Sequence, residues 1–83
     1  MTEEQLRNIP MKEVIGYCHK NEQLAQGKPW MGGKQERAYK EFRKTIGMVK
    51  HFHKMYVSGV WDKQTKKDSH HMTWNELFNK SLT

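Results

Sequence analysis

The stretch over residues 27–35 is a near match to a phosphate-binding loop and reads Gly-Lys-Pro-Trp-Met-Gly-Gly-Lys-Gln. A loop of the type G-x-x-x-x-G-K-[ST] wraps phosphates with backbone N–H groups, neutralises them with its lysine and binds magnesium through its hydroxyl. Gly33 stands where the lysine should be, and Gln35 has no hydroxyl. We therefore predict a connection between two helices, with Gly27 as a helix cap and N–H groups near Gly33 free to contact a phosphate.

The histidines raise the question of a metal site. His51 and His53 fall on opposite sides of a predicted helix, because two residues span about 200° of helical arc. His70 and His71 are neighbours and could complete a site only with ligands from elsewhere in the fold. The chain has no Cys-x-x-Cys or His-x-x-x-His pair of the kind that structural zinc sites usually show. We expect no metal site.

The sequence also offers little for catalysis. An active site would need a base, a nucleophile and an orienting group in one cleft. The single thiol, Cys18, lies in an apolar helical pattern, and no acidic cluster resembles a nuclease metal site. His53 falls within an apolar arc, where it is either a hydrogen-bonded core histidine or a pH-sensitive one, since burial lowers the pKa of imidazole. We expect a protein without enzymatic activity, catalytic residues or cofactor.

Cationic residues are the most informative feature of the chain. The net charge of +6 is concentrated in residues 28–67, which hold eleven Lys and Arg against three acids. This asymmetry indicates an anionic partner. The candidate binding residues on one side of the predicted long helix and at its two ends are Lys28, Lys34, Arg37, Lys40, Arg43, Lys44, Lys50, His51, Lys54, Lys63, Lys66 and Lys67.

Three interpretations of these cations remain open. Lys and Arg along one helix suit the phosphates of a nucleic acid, and the lack of Asn or Gln among the central positions favours DNA binding with low sequence specificity. The alternative is a regulatory or inhibitory protein that docks on an acidic protein surface, such as an accessory protein of a mobile genetic element or phage. A solvated face that serves only solubility is the third.

The elements that position these residues are predicted to be helices. The pattern favours an all-α fold, a single-domain bundle over residues 1–83 built on one long amphipathic basic helix at about 34–60 with two or three shorter helices. Thr2 with Gln5, and Thr73 with Glu76, form capping boxes that begin the first and last helices. A second helix is predicted over residues 11–26, and residues 62–68 are predicted to be a loop.

The apolar side of the long helix is predicted from helical periodicity. Its members fall within about 140° of arc, and they are Ala38, Tyr39, Phe42, Ile46, Val49, Phe52, His53, Tyr56, Val57 and Val60. Such an arc is longer than two short helices could easily cover. We therefore predict that Phe52, Tyr56 and Val60 contact a second copy or a partner protein, which leaves a homodimer as one outcome.

The tryptophans stand near the ends of the predicted elements. Trp61 and Trp74 are expected to cover the small core, since Trp buries a large apolar area. Trp30 is also expected to cover the core. The alternative is that it stacks on an exposed base, because it lies beside Lys28 and Lys34. No apolar run approaches the roughly 20 residues of a membrane span. We expect a soluble cytoplasmic protein that makes no contact with membranes.

Overall fold

The computed structural model describes residues 1–27 and 33–81, with side chains described up to residue 79. Its elements in chain order are α1 (Glu3–Arg7), α2 (Met11–Ala25), α3 (Gly33–Ser58), α4 (Lys63–Asp68), a 3-10 turn (Ser69–His71) and α5 (Trp74–Ser81). Within the described ranges, extended pairing is limited to one isolated bridge between Pro10 and Thr73. The prediction of an all-α fold built on one long helix is confirmed.

The first helix begins as its sequence predicts. The backbone N–H of Gln5 donates to Thr2 Oγ1 at 3.2 Å, and the N–H of Thr2 donates to Gln5 Oε1 at 3.0 Å. This reciprocal pair satisfies donors that a helix start otherwise leaves without partners. Pro10 then precedes α2, where its missing N–H costs no helical hydrogen bond. The predicted capping box at Thr2 is confirmed.

The last helix begins at a modified version of the predicted box. The N–H of Glu76 donates to Thr73 Oγ1 at 3.3 Å, and the Thr73 hydroxyl donates to the Glu76 carboxylate at 3.3 Å. The carboxylate therefore accepts from the hydroxyl, whereas a full capping box would place it on the backbone N–H. Just before it, the carbonyl of Met72 accepts from the N–H of Met11 at 2.9 Å and ties α5 to the start of α2.

The core lies between α2 and one side of α3, and α5 and the 3-10 turn close its end. Phe52 is fully buried, with ring centroids 5.6 Å from Trp61 and 5.3 Å from His70. Burying one such side chain contributes about 1.5–3 kcal/mol. The buried apolar cluster consists of Leu6, Met11, Val14, Cys18, Met48, Val49, Phe52, Trp61 and Leu77.

The buried side of α3 is rotated from the predicted apolar arc. Tyr39, Val57 and Val60 belong to that arc but are exposed, whereas Met48 is buried. Thr45 is also fully buried. The predicted arc is therefore wrong at its edges, because apolar character alone did not identify the residues that face α2.

Thr45 shows how a polar residue enters the core. Its hydroxyl lies 3.1 Å from the carbonyl oxygens of both Glu41 and Phe42 in the preceding turn. A buried hydroxyl costs little when its hydrogen bond is made, so the position tolerates threonine. His53, by contrast, is exposed. The prediction that it lies in the core is wrong, and so is the pH-sensitive core that was derived from it.

Residues 63–68 form a short helix, so the prediction of a loop over residues 62–68 is wrong. Asp62 caps this helix by accepting the N–H of Thr65 at 2.7 Å. This helix was not predictable from hydrophobic periodicity, because its residues are polar and none of them is buried. Gly59, with φ of +79°, follows the end of α3 at Ser58, a left-handed conformation that glycine adopts without strain.

The end of α2 is held by a side chain from α3. Gln35 Nε2 donates to the carbonyl oxygens of Ala25 at 2.8 Å and Gly27 at 2.6 Å. These two bonds satisfy carbonyl groups that the helix terminus leaves without partners. Residues 28–32, which carry Lys28, Trp30 and most of the glycine-rich stretch, lie outside the described residues.

Gly47 provides a test of the exposed side of α3. A Cβ added there meets no described atom within 4 Å, and the backbone is helical. Alanine has the higher helix propensity, so Gly47→Ala should raise the free energy of unfolding by roughly 0.5–1 kcal/mol. Urea unfolding followed by circular dichroism measures this change, and a loss of stability would show that the glycine is needed where it stands.

Candidate anion-binding face

The candidate site is the side of α3 that points away from α2. We call it the basic face, and it consists of Arg37, Lys40, Arg43, Lys44, Lys50, His51 and Lys54, all of which are exposed. From Arg37 to Lys54 it extends for about 26 Å at 1.5 Å per residue. The sequence placed these seven residues on one side, and the structure leaves that side open to solvent.

Two lysines of the basic face make local ion pairs. Lys40 Nζ lies 3.6 Å from Glu36 Oε1, and Lys44 Nζ lies 3.2 Å from Glu41 Oε1. Exposed pairs of this kind contribute at most about 1 kcal/mol, so a stronger anion can displace them. Within the described part of the chain, no ion pair involves Arg37, Lys50 or Lys54. The face therefore keeps a net positive charge.

Arg43 is ordered by an aromatic neighbour one turn earlier. Its Nη1 donates to the hydroxyl of Tyr39 at 3.2 Å, and its guanidinium carbon lies 5.8 Å from the centroid of that ring. Tyr39 was predicted to belong to the apolar arc, yet it is half exposed. A guanidinium held over a ring loses less rotamer freedom when it binds an anion.

Glu41 borders the basic face and connects α3 to α2. Its carboxylate accepts from the Tyr17 hydroxyl at 3.0 Å and from Lys44 Nζ at 3.2 Å. Burial by itself would raise the pKa of Glu41, but these hydrogen bonds and the nearby positive charge hold it below its ordinary value. Burial and the Glu41 carboxylate raise the pKa of Tyr17, which keeps the phenol protonated as a donor.

Glu41 makes stability depend on acid pH. Its lowered pKa in the folded chain stabilises the protein at pH values above the ordinary pKa of a glutamate side chain, and this contribution is lost as pH falls through the folded pKa. We expect Glu41→Gln to lose less stability between pH 7 and pH 3 than the parent chain does. Urea unfolding at both pH values measures the difference. Equal losses would show that Glu41 is not a source of the acid sensitivity.

Other predicted binding residues lie away from the basic face. Lys34 is exposed but falls on the side of α3 that faces α2, beyond the core. Lys66 packs over the ring of Tyr56, with Nζ 5.9 Å from its centroid, and Tyr56 borders the core on the opposite side of α3. Lys63 and Lys67 are exposed and lie on the same side of α4 as Lys66, at helical spacing. Lys28 lies outside the described residues.

The structure brings an aromatic cluster to the basic face that the sequence analysis missed. The ring of His51 lies 4.7 Å from that of Phe78 and 5.6 Å from that of Trp74, centroid to centroid. Trp74 and Phe78 are one turn apart on α5, with centroids 4.0 Å apart. Their i, i+4 spacing was the available signal, but nothing in the sequence showed that α5 would lie beside His51.

The predicted assembly residues have different environments. Phe52 is fully buried within the chain, so its assignment to a partner contact is corrected. Tyr56 is half-buried against Phe52, with ring centroids 6.1 Å apart. Val60 remains exposed, as does Val57. A homodimer stays a prediction. Of the three residues predicted to contact a second copy, only Tyr56 and Val60 have accessible surface for such a contact.

Neither a cluster of metal ligands nor a membrane-spanning helix occurs among the described residues. In residues 1–27 and 33–79, no three His, Cys, Asp or Glu side chains lie close enough together to hold a metal ion. Among the helices described, none combines the length and the apolar character needed to cross a bilayer. Cys18 is a buried free thiol in α2.

Comparisons with known proteins add no relative. No protein-family model matches the chain, and neither a curated protein nor a solved structure matches it.

Proposed function

We propose that this chain is a non-enzymatic nucleic-acid-binding protein whose basic face contacts the phosphate backbone. The observation that supports the proposal is the nearly single-signed charge of that face, where one acid stands among six Lys and Arg. Six Lys and Arg with one His occupy one exposed side of a continuous helix of 26 residues, and Glu36 is the acid among them. A face that served solubility alone would carry acidic and basic residues in similar numbers, paired at i, i+4 spacing.

The dimensions of the basic face suit a polyanion. Phosphates follow one another at about 3.4 Å along one strand of a duplex, so a length of about 26 Å passes several of them. Each lysine or arginine that neutralises a phosphate releases condensed counterions, which is the main source of affinity in binding of this type. The face lacks Asn and Gln side chains, which read adenine, so we expect little sequence preference.

A nuclease-controlled pull-down tests the class of partner. The tagged protein is incubated with cell lysate, with and without prior treatment by a nuclease that digests both DNA and RNA, and bound nucleic acid and protein are measured separately. We expect nucleic acid in the untreated eluate, and any proteins that accompany it should be lost after nuclease. A protein that remains bound after nuclease, with no nucleic acid in either eluate, would favour the acidic-protein alternative and overturn the proposal.

A further inference from the structure

We propose that His51, supported from behind by Trp74 and Phe78, is a stacking platform for an unpaired base, so that the nucleic acid is bound as a single strand. This inference rests on the proposed function and adds the class of nucleic acid to it. Of the seven residues of the basic face, His51 alone carries an aromatic ring. Bases in single strands stack on aromatic side chains, histidine included, while lysines follow the backbone.

The ring of His51 is held in place from one side. Its centroid lies 4.7 Å from that of Phe78 and 5.6 Å from that of Trp74, at interplanar angles of 45° and 44°. Trp74 and Phe78 are themselves in contact at 4.0 Å and are half-buried. His51 nevertheless remains exposed. A supported and exposed ring loses little freedom when a base stacks on it, which favours binding.

The surface next to His51 has room for a base. Gly47 lies one turn earlier on the same side of α3, and a Cβ placed on it meets no described atom within 4 Å. Lys44 lies one turn before Gly47, and Lys54 lies one turn after His51. The arrangement is an open patch beside a ring with a cation on each side. A base stacked on the ring would therefore have a cation on each side for the adjoining phosphates.

The other histidines lack this combination. The ring of His70 contacts Phe52 and Tyr56, at 5.3 Å and 6.1 Å, near the core and away from the basic face. His53 is exposed, and its ring lies 5.6 Å from the buried Phe52. His53 is therefore an exposed histidine on the same helix but outside the basic face, and it serves as a matched control.

The test compares two strands that differ only in their bases. One is an oligothymidylate, and the other is an abasic strand of equal length and phosphate number. Stacking of one base contributes about 1–3 kcal/mol, so we expect the oligothymidylate to bind at least about fivefold more tightly at the same salt concentration. Equal affinities with steep salt dependence would overturn the platform and leave the basic face intact. No binding of either strand, and none of duplex, would overturn the proposed function as well.

Variants then show which residues cause the preference for the oligothymidylate over the abasic strand. His51→Ala should reduce the ratio of the two affinities to about one, and His53→Ala should leave the ratio unchanged. Gly47→Leu fills the open patch without a change of charge or of the contacts between His51 and α5, and it should also abolish the preference. If His51→Ala alters the circular dichroism spectrum, Gly47→Leu decides the question. A thymine preference that survives Gly47→Leu would contradict the assignment.

Discussion

Reversal of Arg37, Lys40, Arg43 and Lys44 to glutamate is expected to abolish nucleic-acid binding. The change replaces four cations of the basic face by four anions, so phosphates that were attracted are repelled. Loss of four phosphate contacts should weaken binding by roughly 1,000-fold or more at moderate salt. All four residues are exposed, so the helical circular dichroism signal should persist. Fluorescence anisotropy with a labelled oligonucleotide measures the affinity.

A second charge-reversed variant controls for net charge. Arg7, Lys12 and Lys20 are exposed cations on α1 and α2, outside the basic face. Their reversal changes the net charge by six, against eight for the variant of the basic face, but should weaken binding only modestly, through long-range repulsion that salt screens. If this control loses affinity as strongly as the variant of the basic face does, binding depends on total charge and no particular face is responsible.

Substitution of Phe52 by aspartate is expected to unfold the chain. The side chain projects from α3 and is fully buried against Trp61 and the 3-10 turn. The centroids of the neighbouring rings lie within about 6 Å of its own. Removal of a buried Phe side chain to alanine costs about 3–5 kcal/mol, and a buried carboxylate adds a further penalty. A small domain has about 5–15 kcal/mol of stability in total. Circular dichroism at 25 °C should show loss of most helix.

Val57→Asp is the matched control for that substitution. Val57 lies on the same helix and is 78% exposed, so a carboxylate there stays in water. Its helical signal and unfolding midpoint should remain close to those of the parent chain. A Phe52→Asp variant that keeps its helix content and changes only in size-exclusion behaviour would contradict the intramolecular core and restore Phe52 as an assembly contact.

The main helix and its two faces were largely predictable from sequence, because residues with strong periodicity follow one another for many turns. The helix was predicted at 34–60 and is found at Gly33–Ser58, where Gly59 ends it. The exposure of the basic residues followed from the same periodicity. Helix starts were also predictable, since a capping threonine with Gln or Glu three residues later is a local signal.

Features that depend on tertiary packing were not predictable. Thr45 can be buried because its hydroxyl bonds to the preceding turn. His53 is exposed although helical periodicity placed it among apolar residues. Gln35 reaches across eight to ten residues to the end of α2, a contact that no local pattern indicates. The cluster around His51 depends on where α5 packs. Sequence periodicity identifies sides of a helix, but it does not show which neighbour each side meets.

The salt dependence of binding tests the central claim that the basic face binds phosphates. Affinity for a short oligonucleotide is measured over a series of salt concentrations, and its logarithm is plotted against the logarithm of salt concentration. If the six Lys and Arg of the basic face each contact a phosphate, the slope should be about −5 for duplex and about −4 for a single strand. The fourfold reversal should reduce the slope to about −2 or abolish measurable binding. A slope near zero, or no binding by the parent chain at the lowest salt, would contradict the account.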